Sequence, residues 1–204
     1  METSHPVLNL VRAPHLLIAG ADGQGISVIL DSLVRSLRNA ESSHGLKLVS
    51  ITPESARAEL EALNMEMDER LSEPTTKWPY IFVVIEEFAN LTVPSGIGED
   101  EIKRAGEFSR LILRLAIKGF RAGIHLIVTT QCLTHDAITM LLKANIPTRI
   151  AVRTCSNHDS KLILDSSGAE KLTGSGDCLL LSMGRIEPFT GGEFVVEDLE
   201  NPVK

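Results

Sequence analysis

Residues 16–28 read Leu16-Leu17-Ile18-Ala19-Gly20-Ala21-Asp22-Gly23-Gln24-Gly25-Ile26-Ser27-Val28. Four apolar residues running straight into a glycine predict a buried strand. Beyond Gly25, apolar residues at Val28, Ile29, Leu33 and Leu37 keep helical spacing to about residue 40. Strand, glycine-rich turn and helix in that order frame a phosphate-binding loop. Against the pattern G-x-x-x-x-G-K-[ST], Gly20, Gly25 and Ser27 stand in register, and Ile26 occupies the lysine position. The glycines let the turn aim its N–H groups inward, and the helix N-terminus adds a positive end. The candidate nucleotide-binding residues are therefore Gly20, Asp22, Gly23, Gln24, Gly25, Ile26, Ser27 and Val28, with Ser27 also a candidate Mg2+ ligand.

The missing lysine has a definite cost. Its charge-assisted hydrogen bond is worth about 1.5–3 kcal/mol in binding. A comparable contact to a transition state is worth about 10²- to 10³-fold in rate. Asp22, if turned toward the loop, opposes an anion by roughly 4 kcal/mol at about 4 Å and an effective dielectric near 20. No Lys or Arg occurs from Gly20 to Leu33, so no cation close in sequence replaces the lysine.

Outward from this loop, short apolar runs alternate with amphipathic stretches, the signature of a parallel sheet covered by helices. Strands are expected at 46–51, 80–85, 124–129, 146–152, 178–181 and 193–196, the last two completing the sheet. Helices are expected from Pro53 to about Leu71, at 100–120, at 137–144 and at 156–164. Residues 72–79, 93–98 and 166–176 read as loops. The 204 residues suit one domain at 14–198 with a short extension at 1–13.

A net charge of −7 argues against a basic surface spread over nucleic acid, because counterion release needs clustered cations. Cys132, Cys155 and Cys178 are odd in number and lack metal-type spacing, so they read as free thiols of a reducing compartment. No apolar run approaches the roughly 20 residues of a membrane helix, and residues 1–13 carry no signal-peptide pattern. A cytoplasmic location is expected.

The second half of a nucleotide site follows in Ile81-Phe-Val-Val-Ile85-Glu86-Glu87, an apolar strand ending in two acids, the form of a Walker B segment. Its first carboxylate, Glu86, is the candidate metal ligand, and Glu87 the candidate water-activating catalytic residue. Gln131, ending the strand Ile127-Val-Thr-Thr-Gln131, can sense a γ-phosphate. The bland readings are helix N-terminal charge for the Glu pair and a strand-end cap for Gln131.

Several segments now converge. Pro14-His-Leu-Leu-Ile-Ala-Gly20, Arg121-Ala-Gly-Ile-His-Leu-Ile-Val-Thr-Thr-Gln131, Lys143-Ala-Asn-Ile-Pro-Thr-Arg-Ile-Ala151, Asp159-Ser-Lys-Leu-Ile-Leu-Asp165 and Gly174-Ser-Gly-Asp177 resemble, in order, the FtsK/SpoIIIE family of DNA translocases. The resemblance implies a RecA-like P-loop NTPase fold, α/β with a mostly parallel sheet and helices on both faces. It further implies ATP and Mg2+ as cofactors, hexameric rings and double-stranded DNA as the track. Arg149, Arg153 and Lys161 fall in segments where the family places intersubunit and DNA contacts.

The departures cluster at the same site. The family's lysine is Ile26, its Walker B Asp is Glu86, and its Gln-Arg-Pro is Gln131-Cys132-Leu133. Its Asp-Ser-Arg is Asp159-Ser160-Lys161, which keeps a charge but loses the planar fork that grips phosphate. Its Asp-Pro-Lys is Thr52-Pro53-Glu54, and the 53–79 region is shortened. Three functions stay open on the residues alone. The first is a domain with ATP hydrolysis lost or very weak, acting as a homo-oligomer or beside an active homologue. The second is a slow double-stranded DNA translocase with a substitute cation, and the third a nucleotide-free structural module. Arg110, Arg114, Lys118 and Arg121 recur at roughly helical spacing, as a solvated face or a basic one.

Overall fold

Apolar runs become strands and amphipathic stretches become helices from Leu16 onward in a computed structural model of the chain, which describes residues 7–8, 14–73, 78–174, 176–190 and 195–196. In order the elements are β1 Val7–Leu8, β2 Leu16–Ala19, α1 Ile26–His44, β3 Lys47–Ile51, α2 Ala56–Ser72 and β4 Ile81–Ile85. There follow α3 Ala89–Thr92, α4 Glu99–Lys118, β5 Ile124–Thr130, α5 Met140–Asn145, β6 Thr148–Ala151 and α6 Asn157–Leu164. β7 Asp177–Ser182, β8 Arg185–Thr190 and β9 Val195–Val196 follow.

Seven strands form one sheet in the order β3-β4-β5-β2-β6-β7-β8. The first five are parallel, and β7 and β8 join antiparallel. The expected mostly parallel sheet is thus present, and helices cover both faces. Because side chains alternate along a strand, Leu16 and Ile18 of β2 serve one face and Leu17 and Ala19 the other. On the first face α1 buries Ile29, Leu30, Leu33 and Leu37, each worth about 1.5–3 kcal/mol of transfer free energy. On the second, α2 contributes Leu60, Leu63 and Met67, α4 Phe108, Ile112 and Leu115, and α6 Leu162 to Leu164.

One expected strand is corrected. The segment 193–196 does not finish the main sheet; Val195–Val196 pairs in parallel with Val7–Leu8 as a separate two-stranded sheet. Residues 193 and 194 lie outside the described residues, as do 1–6 and 9–13 of the extension, 74–77 of the linker and 197–204. The edge of the main sheet is instead β8, Arg185-Ile-Glu-Pro-Phe-Thr190, with no strand expected there. It is nearly all exposed, and Pro188 sits where a proline is tolerated, on an edge. It pairs with β7 through a two-residue turn, Met183-Gly184, whose φ values of 49° and 76° match the twist of a hairpin.

Candidate functional site

The loop at Gly20 leaves β2 at the centre of the sheet, between β5 and β6. Gly20 accepts no side chain: a Cβ there would lie 2.2 Å from Val152 Cγ2. Ala21 N–H then donates to the Arg153 carbonyl at 2.9 Å, tying the loop to the end of β6. Gly23 and Gly25 turn with φ of 71° and 99°, left-handed values that glycine adopts without penalty. Among the described residues, the N–H groups of Gly23, Gly25, Ile26 and Ser27 have no backbone acceptor. Those donors, at the start of a 19-residue helix, are an anion cradle.

Side chains around the cradle divide sharply. Ser27, Val28 and Asp22 are exposed, Val28 by 69%. Ile26 is only 6% exposed and belongs to the core cluster of Leu16, Ile18, Ile29 and Leu30. The residue at the lysine position is thus a core residue of α1. Gln24 stays beside the loop, its Nε2 donating to the Asp22 carbonyl at 3.4 Å.

Across β5, the end of β4 presents the two acids. Glu86 is exposed. Glu87 is fixed: Thr130 Oγ1 donates to its Oε1 at 2.7 Å, and Gln131 N–H donates to its Oε2 at 2.7 Å. Its own N–H donates to Thr129 Oγ1 at 3.0 Å. Its φ of 45° is left-handed, a conformation that non-glycine residues hold only where the surroundings impose it. Gln131 meets Glu87 through its backbone, and it is exposed. Thr129 and Thr130 received no role from sequence; the Thr-Thr pair ending an otherwise apolar strand was the available signal.

The cations fall into three cases. Arg149 is not presented to a partner. Its side chain is 10% exposed, and it donates to Asp165 Oδ2 at 2.6 Å and to the Ile163 and Ile146 carbonyls at 2.9 and 3.1 Å. Lys143 Nζ donates to the other Asp165 oxygen, at 2.5 Å. Partial burial opposes the Asp165 charge, but these two donors outweigh it and hold the carboxyl below its ordinary range. Together they pin the left-handed residue that ends α6. Arg114 is likewise committed, to Asp68 at 2.6 and 2.7 Å, which ties α4 to α2 rather than offering a basic face. Arg153 and Lys161 remain exposed.

This donor set fits the phosphate chain of a nucleotide: open N–H groups and a hydroxyl at Ser27, with carboxylates two strands away. No cluster of three His, Cys, Asp or Glu able to hold a metal occurs among the described residues. Mg2+ keeps open positions that phosphates complete, and at such a site Ser27 and Glu86 are the residues that would hold it.

No family model matches the chain. Curated relatives do: the DNA translocase FtsK of Borreliella burgdorferi is 34% identical over 90% of this chain, and that of Listeria monocytogenes 33% over 96%. Neisseria meningitidis DNA translocase FtsK 2 is 33% identical over 91%. This chain belongs to the FtsK/SpoIIIE family. It spans only 24–31% of the length of those three relatives. Among solved structures, the pCW3 conjugation coupling protein TcpA with ATPγS superposes with a TM-score of 0.77 at 21% identity, over 90% of this chain and 61% of TcpA. The type VII secretion ATPase EccC of Thermomonospora curvata gives 0.64 at 21%, over 88% of this chain and 25% of EccC. These likenesses establish the RecA-like P-loop fold. As an FtsK-type chain it contains, among its described residues, no helix long and apolar enough to cross a membrane.

Proposed function

We propose that this FtsK-type domain keeps a polyphosphate cradle, hydrolyses ATP weakly or not at all, and acts by assembling with itself or with an active homologue. The observation that carries this reading is the burial of Ile26 in the core beneath open N–H donors. Attraction for an anion survives through those donors and the helix N-terminus. The loop cation that would neutralise charge on a transferring phosphoryl group does not. Mg2+, when bound, supplies neutralising charge between phosphates; Ser27 and Glu86 would hold it. Glu87 would orient the attacking water and Gln131 would sense the γ-phosphate. With a net charge of −7, contact with double-stranded DNA is weak and strongly salt-dependent.

A second reading, a slow double-stranded DNA translocase, draws support from Glu87, whose left-handed backbone and three hydrogen bonds make a well-built catalytic position. Turnover of the full chain with Mg-ATP, with and without double-stranded DNA, separates the two, with light scattering reporting assembly. The expected result is turnover near the buffer blank and an oligomer that persists without hydrolysis. DNA-stimulated turnover that disappears in Glu87→Gln would select the motor instead.

A further inference from the structure

The loop lacks a cation in its own sequence, but the fold brings the backbone of an arginine beside it. The end of β6 runs beside the loop: Val152 N–H donates to the Ala19 carbonyl at 3.0 Å, and Ala21 N–H returns to the Arg153 carbonyl at 2.9 Å. These two backbone bonds fix residue 153 against the first residue of the phosphate loop, whatever its side chain. The side chain's direction follows from Gly174. A Cβ built on that glycine would lie 2.5 Å from Gln24 Oε1 and 3.5 Å from Arg153 Cδ. Gln24, two residues before the lysine position, and the Arg153 stem therefore both border Gly174.

Arg153 is also uncommitted. Arg57, Arg70, Arg114, Lys143 and Arg149 each hold a carboxylate within the fold. Arg153 is exposed and has no ion-pair partner among the described residues. A guanidinium stays charged, its planar fork matches two phosphate oxygens, and its long stem can swing over the loop.

We propose that Arg153 supplies, from the end of β6, the positive charge that Ile26 withholds from the phosphate loop, so that the phosphate chain of a nucleoside polyphosphate is gripped by a guanidinium instead of a loop lysine. This rests on the cradle reading above. It assigns Arg153 to phosphate binding within its own subunit, and it offsets Asp22 at the same loop. A guanidinium entering from the flank also explains how binding can be kept while the loop position used during transfer is not.

The test is calorimetric titration of Mg-ATP and of Mg-tripolyphosphate into the full wild-type chain, Arg153→Gln and Arg153→Lys, with ligand-free melting temperatures alongside. The expected result is that Arg153→Gln weakens both ligands by about 10- to 150-fold, the worth of one charge-assisted hydrogen bond, and melts like the wild type. Arg153→Lys recovers part of the loss. Wild-type binding that Arg153→Gln leaves intact overturns the role of Arg153 and leaves the cradle standing. Failure of the wild type to bind either ligand overturns the cradle, and this proposal with it. Loss for Mg-ATP alone overturns a grip on the phosphate chain. A lowered ligand-free melting temperature with equal losses in both variants assigns Arg153 to packing against Gly174 and overturns the proposal.

Discussion

Ile26→Lys sets two effects of known sign against each other. Ile26 is 6% exposed, so replacing it removes most of a buried side chain, about 1.5–3 kcal/mol of transfer free energy. The lysine stem regains part of this by lying along the same apolar wall while its ammonium reaches outward. A net loss of about 1–3 kcal/mol lowers the melting temperature of a domain this size by about 2–12 °C. With ligand, the ammonium adds a charge-assisted hydrogen bond of about 1.5–3 kcal/mol, roughly 10- to 150-fold in affinity. Under saturating Mg-ATP that gain enters the stability directly. The variant should therefore melt well below the wild type alone and close to it when saturated. Differential scanning fluorimetry across a nucleotide series reads both effects. A ligand-free variant melting at the wild-type temperature would refute the burial of this side chain. A variant destabilised equally with and without nucleotide would refute the open cradle above it.

Other consequences follow from buried polar groups. His15 is fully buried and accepts from the Leu126 N–H at 2.9 Å; burial, and then the neighbouring His125, push its pKa down to about 3. Unfolded, it protonates near 6.5, so between pH 6.5 and 3 the unfolded state binds more protons and stability falls as pH falls. His15→Asn, which can keep the acceptor, should shrink the stability lost between pH 7 and 5 in urea unfolding; an unchanged loss would contradict this. Arg70, with a side chain 1% exposed, joins Glu66 at 2.6 Å and the Pro79 and Ala122 carbonyls at 2.7 and 3.0 Å. Arg70→Met should cost about 2–3 kcal/mol, because acceptors are left without a donor. It should also alter the emission of Trp78, whose ring lies 5.2 Å from the guanidinium carbon and which is the chain's single tryptophan.

Much of the fold was legible because strand and helix periods differ so plainly here. Leu16 to Ala19, Ile81 to Ile85 and Ile124 to Thr130 are buried along their whole length, and such strands read as near-continuous apolar runs. β8 escaped because an exposed edge strand has no core face to advertise, and Pro188 reads as a breaker. The site was legible as a string of positions, since glycine spacing and a strand ending in acids are local signals. What each position does with its side chain was not. Ile26 turns into the core, Arg149 is consumed by Asp165, and the Arg153 carbonyl, 132 residues further along the chain (153 minus 21), accepts from the Ala21 N–H of the phosphate loop. Those outcomes depend on which strands lie side by side, here β2 between β5 and β6, and a local motif does not carry that information.

The most direct measurement of a cradle that binds without turning over is a single-turnover experiment. The full chain, in excess over labelled ATP and above its dissociation constant, is mixed with Mg2+ and double-stranded DNA, quenched over an hour, and the nucleotide is resolved by chromatography. Such conditions isolate the chemical step from product release. Intact ATP throughout, at the level of a protein-free control, is the expected result. ADP accumulating in the wild type, and not in Glu87→Gln, would contradict it and make this domain a working motor.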